Sequence, residues 1–236
     1  MTLIEKEAVR ITRTILFFLY RSRCNVIFCT SMLLSLVLTV TSALSASTTP
    51  QIACGYFHSI ALNSDGTVWA WGSNGYGQFG DGTTTNRTTP AQASGLSGVT
   101  AIAGGIGHTI ALKSDGTVWA WGYNGAGQLG DGTTTERDTP VQVSSLSSVV
   151  AVAGGGSHSL ALKSDGTVLA WGGNGSGQVG DGTTTNSATP VQVSGLSGVI
   201  AIAGGGQHTI ALKSDGTVWA WGSNGSGQLG DGTTTN

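Results

Sequence analysis

From residue 53 to residue 236, short apolar runs alternate with glycine-rich turns at a fixed spacing. In the second unit the runs are Ala101–Ala103, His108–Ser114, Thr117–Gly122 and Thr139–Ser144. Short apolar runs bounded by Gly, Asp, Ser and Thr are strand signals, and no segment has helical periodicity over a helix length. The pattern therefore predicts four short strands per unit. Asp115-Gly116 reads as a two-residue type I′ hairpin turn, because both residue types tolerate positive φ. Pairing outward from it sets Leu112 opposite Trp119, Ile110 opposite Trp121 and His108 opposite Tyr123. These form one bulky face, with Ala111/Ala120 and Thr109/Gly122 on a small one. Such a sheet stacks its bulky face on the small face of the next unit, head to tail. Ring closure of that stack is a β-propeller, in which most sheet edges are hidden. A flat solenoid is the other arrangement of stacked units, though its units are usually shorter.

Comparing the chain with itself at an offset of 50 makes the repeat explicit: residues 101–136 and 201–236 differ only at 106/206, 107/207, 123/223, 126/226 and 136/236. The expected fold is all-β, a β-propeller-type tandem repeat of about 3.7 units, with units starting near 53, 101, 151 and 201 and the fourth stopping in mid-repeat at Asn236. The array, residues 47–236, is one domain.

Residues 1–46 read differently. Arg10, Arg13, Arg21 and Arg23 precede an uncharged stretch running from Cys24 to Ser64, apolar as far as Val40 and then small through Ala43 and Ala46. Basic, apolar, small is the order of a signal peptide. An uncleaved apolar helix anchoring the chain through residues 24–46 is the alternative. Either form exports the array, since the arginines precede the apolar run. Cys54 would be the one cysteine outside the leader, a small side chain in a tight site.

The array carries ten acidic and five basic side chains among its many Gly, Ser and Thr residues. It lacks the Lys/Arg footprint of a phosphate-backbone binder, so nucleic acid is not an expected partner.

The strings A-x-A-(C/G)-G-x-x-H-(S/T)-x-A-L, S-D-G-T-V-x-A-W-G and N-G-x-G-Q-x-G recur across residues 53–236 and resemble the regulator-of-chromosome-condensation repeat. The resemblance implies a propeller of seven four-stranded blades, of which this sequence holds about half. It thus implies an incomplete ring, truncation of a longer gene product, and self-association through open ends. The family's founding member exchanges guanine nucleotide on a small GTPase and binds chromatin. The evenly spaced repeats here carry no inserted wedge and no basic tail. Other relatives are secreted or surface binding proteins, which suits the leader better.

The candidate chemistry mostly dissolves into the repeat. Gly125–Gly130 matches G-x-G-x-x-G, but Gly-Thr-rich sequence follows rather than a helix start, and the match recurs in every unit, so it marks turns. His58, His108, His158 and His208 recur once per unit and are read as structural, each with a ring nitrogen bonded to nearby backbone, like the core tryptophans Trp71, Trp121, Trp171 and Trp221. Asp81 and its counterparts could offer oxygens to calcium, but with too few carboxylates for a known loop. No catalytic residue, cofactor or metal site is expected, because a catalytic centre would break the symmetry. Asn86, Asn174 and Asn224 begin glycosylation sequons.

Departures from the repeat collect at 56–57, 73 and 76 and their counterparts, at the hairpin end away from the Ser-Asp-Gly turn. The candidate interaction positions are Tyr56, Phe57, Tyr76, Arg87, Ile106, Tyr123, Glu136, Arg137 and Gln207. Variable loops at one end of a fixed scaffold are where specificity usually resides. The expected function is an exported, secreted or membrane-anchored, non-catalytic scaffold binding a protein partner or surface ligand. Intracellular guanine-nucleotide exchange, or support of a catalytic segment beyond Asn236, are the alternatives.

Overall fold

The computed structural model describes residues 48–236. The leader, with its expected apolar helix and anchor, lies outside the described residues. Within them are fifteen strands and no helix.

Each repeat is one antiparallel blade. The first blade runs β1 (Gln51–Cys54), β2 (His58–Leu62), β3 (Val68–Gly72) and β4 (Arg87–Gln92). The second has β5 (Val99–Gly104), β6 (His108–Lys113), β7 (Val118–Gly122) and β8 (Arg137–Gln142). The third has β9 (Val149–Gly154), β10 (His158–Lys163), β11 (Val168–Gly172) and β12 (Ser187–Gln192). The fourth holds β13 (Val199–Gly204), β14 (His208–Lys213) and β15 (Val218–Gly222). Strand order is sequential in every sheet, and the first strand of each blade meets the first strand of the next.

The hairpin register differs by one residue from the expected one. Leu112 pairs with Val118, Ile110 with Ala120, Thr109 with Trp121 and His108 with Gly122. The turn is a three-residue loop: Gly116 N–H donates to Lys113 O (2.9 Å), Lys113 N–H donates to Thr117 O (2.9 Å), and Gly116 alone takes positive φ, at 78°. This is a type I turn closed by a left-handed glycine, not a type I′ pair. The Asp115 carboxylate fixes it, accepting from Thr117 N–H (3.0 Å) and Thr117 Oγ1–H (2.6 Å). A one-residue slip moves a strand's whole set of side chains to the other face. Ile110, Leu112, Val118 and Ala120 therefore share one face, while Ala111, Trp119 and Trp121 share the other.

The hydrophobic core lies between blades. Trp121 and Ala111 pack on Ile60, Leu62 and Val68 of the first blade. Trp171 and Ala161 pack in the same way on Ile110, Leu112 and Val118. Trp221 and Ala211 pack on Leu160, Leu162 and Val168. Head-to-tail stacking holds, but each boundary sets an indole of one blade on the aliphatic face of the blade before. Close to the axis the blades meet backbone to backbone: a Cβ at Gly104 would lie 2.7 Å from Cys54 O, and one at Gly204 would lie 2.6 Å from Gly154 O. Cys54 holds the equivalent position in the first blade but is exposed, so the tight site expected for it is absent there.

In the second blade's outer loop, Ser145 (φ 55°) and Ser148 (φ 57°) stand where the other units have Gly95, Gly98, Gly195 and Gly198, all at positive φ. Side chains there cost about 1 kcal/mol each. Ser145→Gly with Ser148→Gly should raise the urea midpoint, and a lowered midpoint would contradict the assigned loop conformation. Trp121→Ala should cost about 3–5 kcal/mol as a buried aromatic truncation. The half-buried Trp119, whose ring lies 5.7 Å from Lys113 Nζ, should cost clearly less on the same change. Equal losses in urea melts of the two variants would refute the observed facing.

Candidate functional site

At the end of each blade away from the Ser-Asp-Gly turn lie two loops, exemplified by 105–107 and 123–136. The second is stiffened by two amides. Asn74 Nδ2–H donates to Thr83 O (2.9 Å), while Asn74 Oδ1 accepts from Phe79 N–H (2.9 Å). Gln78 Oε1 accepts from Tyr76 N–H (2.9 Å). Asn124 with Gln128, and Asn174 with Gln178, repeat the arrangement. The G-x-G-x-x-G string is thus a closed structural loop. Asn174 and Asn224 are buried, which removes two of the three sequons from the folded surface.

The loop's purpose is to hold out one carbonyl. Gln78 O accepts from Trp121 Nε1–H (2.8 Å) and from Thr109 Oγ1–H (2.8 Å), both of the next blade. Because the Thr109 hydroxyl points its hydrogen at Gln78 O, its oxygen accepts from His58 Nε2–H (2.9 Å). His108, Ser159, Gln128 and Trp171 repeat this relay, as do His158, Thr209, Gln178 and Trp221. The ring nitrogens of His58, His108 and His158 bond a hydroxyl of the neighbouring blade, where nearby backbone was expected. Sequence reasoning passed over Asn74, Gln78 and their counterparts as turn punctuation, and gave Thr109 only a place on the small face. Their recurrence at fixed offsets was the available signal.

Burial keeps these rings neutral. Desolvation lowers His58 from 6.5 to about 4 and His158 to about 4. His108 falls to about 3, chiefly by desolvation and further by the charges His158 and His58 would carry. Asp81, Asp131 and their counterparts each bond the Thr two residues on, and Asp131 also takes Arg137 Nε–H (3.0 Å) and Nη2–H (2.7 Å). Among the described residues no three His, Cys, Asp or Glu side chains converge to hold a metal ion.

The register places the variable positions side by side. Tyr123 N–H donates to Gly107 O (2.8 Å), and Ser73, Gly173 and Ser223 bond Phe57, Ser157 and Gln207 in the same way. Across each blade boundary a third variable position joins them. The Tyr76 ring lies 4.9 Å from that of Tyr123, both beside Gly107. Ala126 meets Gly173, and Ser176 Oγ–H reaches Gln207 Oε1 at 3.5 Å. Tyr56 and Ile106 flank an open groove of about 370 Å³ floored by Gly105, Gly155 and Gly205, and Tyr56 stacks edge-on against Phe57 at 4.5 Å. Tyr56 is 71% exposed, Phe57 64%, Tyr76 47% and Ile106 45%. Glu136 and Gln207 are exposed too, whereas Tyr123 is half-buried. Arg87 and Arg137 stand at the same end but are committed to Asp81 (3.5 Å) and Asp131 (2.7 Å).

Repeated blades locked through an indole and a hydroxyl, with the sequence departures gathered on one rim, define a β-propeller-type repeat array. The chain belongs to the "Regulator of chromosome condensation (RCC1) repeat" family, which matches residues 65–112, 115–162 and 165–212, and in a second form 51–78, 99–128, 149–178 and 199–228. It is a partial array of such repeats. Human WBSCR16 is similar in structure, with a TM-score of 0.71 at 29% identity over 80% of this chain and 51% of that one. Yeast RCC1 (Prp20), solved bound to Kap60, gives a TM-score of 0.68 at 25% identity over 79% of this chain and 46% of its own. Human HERC4, a probable E3 ubiquitin-protein ligase, is 50% identical over 42 residues, 18% of this chain and 4% of that protein. The mitochondrial RCC1 domain-containing protein RUG3 of Arabidopsis thaliana is 43% identical over 47 residues, 20% of this chain and 11% of its own length. The chain therefore spans about half the length of these two solved relatives and a small part of these curated ones.

The relay makes stacking acid-sensitive. The unfolded chain takes up protons at histidine below pH 6.5, whereas the folded one resists until about pH 4 at His58 and His158. Stability is fully present above pH 6.5 and should fall as pH drops towards 4, by about 1.4 kcal/mol per pH unit for each such histidine. Urea melts at pH 7.5, 6, 5 and 4.5 test this. A flat profile from pH 7.5 to 5, above the ordinary carboxylate titrations, would contradict the neutral relay.

Proposed function

We propose that the array is an exported, non-catalytic binding scaffold whose protein partner docks on the variable rim of the blades. The observation that carries this reading is the gathering of Tyr56, Phe57, Tyr76, Ile106 and Gln207, with Tyr123, on one rim of the stack, where departures from the repeat bring aromatic and apolar side chains together. Exposed tyrosines on a rigid scaffold suit recognition, since they offer large contact area at small entropic cost. Prp20, solved bound to Kap60, shows a related propeller with a protein partner. The ligase name of HERC4 belongs to a protein of which 4% is matched. Guanine-nucleotide exchange is the weaker reading, because the connections between described strands repeat at near-constant length and leave no inserted wedge. Export rests on the basic, apolar, small order of residues 1–46.

Expressed with its leader, the array should be cut by protease added to intact cells, and deletion of residues 1–46 should protect it. Protection of both forms would return the protein to the cell interior and remove export from this reading.

A further inference from the structure

Two separate departures from the repeat coincide at one place. The boundary between the first and second blades is the one described boundary with an aromatic ring on each side, Tyr76 and Tyr123; the equivalents are Ala126 with Gly173 and Ser176 with Ser223. The same boundary alone carries carboxylates at the start of its outer strand. Glu136 and Asp138 stand where the other units have Asn86 with Thr88 and Asn186 with Ala188. Both sit at backbone positions adjoining the loops that carry the rings. Asp138 packs against Gly77, next to Tyr76, and its carbonyl accepts from Gly82 N–H (2.9 Å). Glu136 precedes Arg137, which pairs with Gly122, next to Tyr123. In the other units the asparagine at this point accepts from a loop N–H, as Asn86 Oδ1 does from Asn74 (2.7 Å) and Asn186 Oδ1 from Asn174 (2.9 Å). Glu136 is exposed, as is Asp138. The nearby cation, Arg137, is spent on Asp131, and among the described residues no ion pair engages Glu136 or Asp138.

Resting on the reading that the rim binds a protein, we propose that this boundary receives a basic, extended segment of that partner. A Lys or Arg side chain lies over Tyr76 and Tyr123, its charge is met by Glu136 and Asp138, and an adjacent apolar residue covers Ile106. Charge complementarity chooses this occupant. The ring faces attract a cation, the carboxylates neutralise it, and the aliphatic stem of Lys or Arg suits an aromatic shelf.

Random peptides displayed on phage, selected against the immobilised whole chain, provide the probe, and enriched peptides are then titrated by fluorescence polarisation. One variant carries Tyr76→Ser, Tyr123→Ser, Glu136→Asn and Asp138→Ala. These residues already occupy the equivalent positions Ser226, Ser223, Asn186 and Ala188, so the fold accommodates them. A second carries Tyr56→Gly and Phe57→Ser, as at Gly156 and Ser157. Enriched peptides should hold Lys or Arg beside an apolar residue, bind the first variant about tenfold or more weakly, and weaken with added salt. Tyr76→Phe with Tyr123→Phe, which keeps both rings, should retain most binding. Enrichment of peptides without basic residues, or equal binding to the first variant, overturns the proposal. If such peptides are instead lost in the second variant, the rim still binds and the broader reading stands. No enrichment, or binding indifferent to both variants, overturns both.

Discussion

The array depends on the seating of one indole against the preceding blade. A four-stranded blade cannot bury either of its faces alone, and the face carrying Ile60, Leu62 and Val68 is closed only when Trp121 of the next blade covers it. An indole brings an N–H that needs an acceptor wherever it is buried. The Asn-Gln loop supplies that acceptor as Gln78 O, and Thr109 uses the carbonyl's second lone pair. The loop's glycines, the amides that brace it, the hydroxyl and the histidine follow from providing one buried carbonyl with two donors. Apolar burial supplies the drive for stacking, and this relay fixes its register.

Fold class, strand number and strand positions were legible because period-2 runs and glycine punctuation are local signals. The pairing within the hairpin was not. Asp115-Gly116 fits both a two-residue turn and the last two positions of a three-residue loop, and only the second leaves Asp115 at negative φ with its carboxylate on Thr117. That single residue reassigned Trp121 from the face of Ile110 to the opposite one. The stacking conclusion survived because both faces carry large and small residues, so either assignment gives complementary surfaces. Cys54 was misjudged for a different reason. The tightness at Gly104 is made by the carbonyl of another blade, which no local pattern reveals.

The candidate rim was legible from the departures themselves, while its arrangement was not. Positions 76, 107 and 123 belong to two units and three loops, and the sequence places them only at a common end. The corrected register sets 107 beside 123, and stacking adds 76 from the blade before. Arg87 and Arg137 illustrate the opposite case. They look like free cations in sequence, yet an aspartate six residues earlier has already claimed each. Charge that is satisfied within a loop stiffens it and offers little to a ligand.

A surface assembled across blade boundaries has a further consequence. Tyr76 and Tyr123 are neighbours only because Trp121 is seated, so whatever loosens the stack also separates the rings. The histidine relay runs through the same boundary: His58 of the first blade reaches Thr109 of the second, beneath the loops that carry the two tyrosines. Protonation of His58 would place a charge in a site whose Nδ1 is buried without a hydrogen-bond partner. The arrangement of the rim and neutrality in the core are thereby coupled through one interface. Acid that reaches the relay disturbs the arrangement of the rim through the order of the blades beneath it.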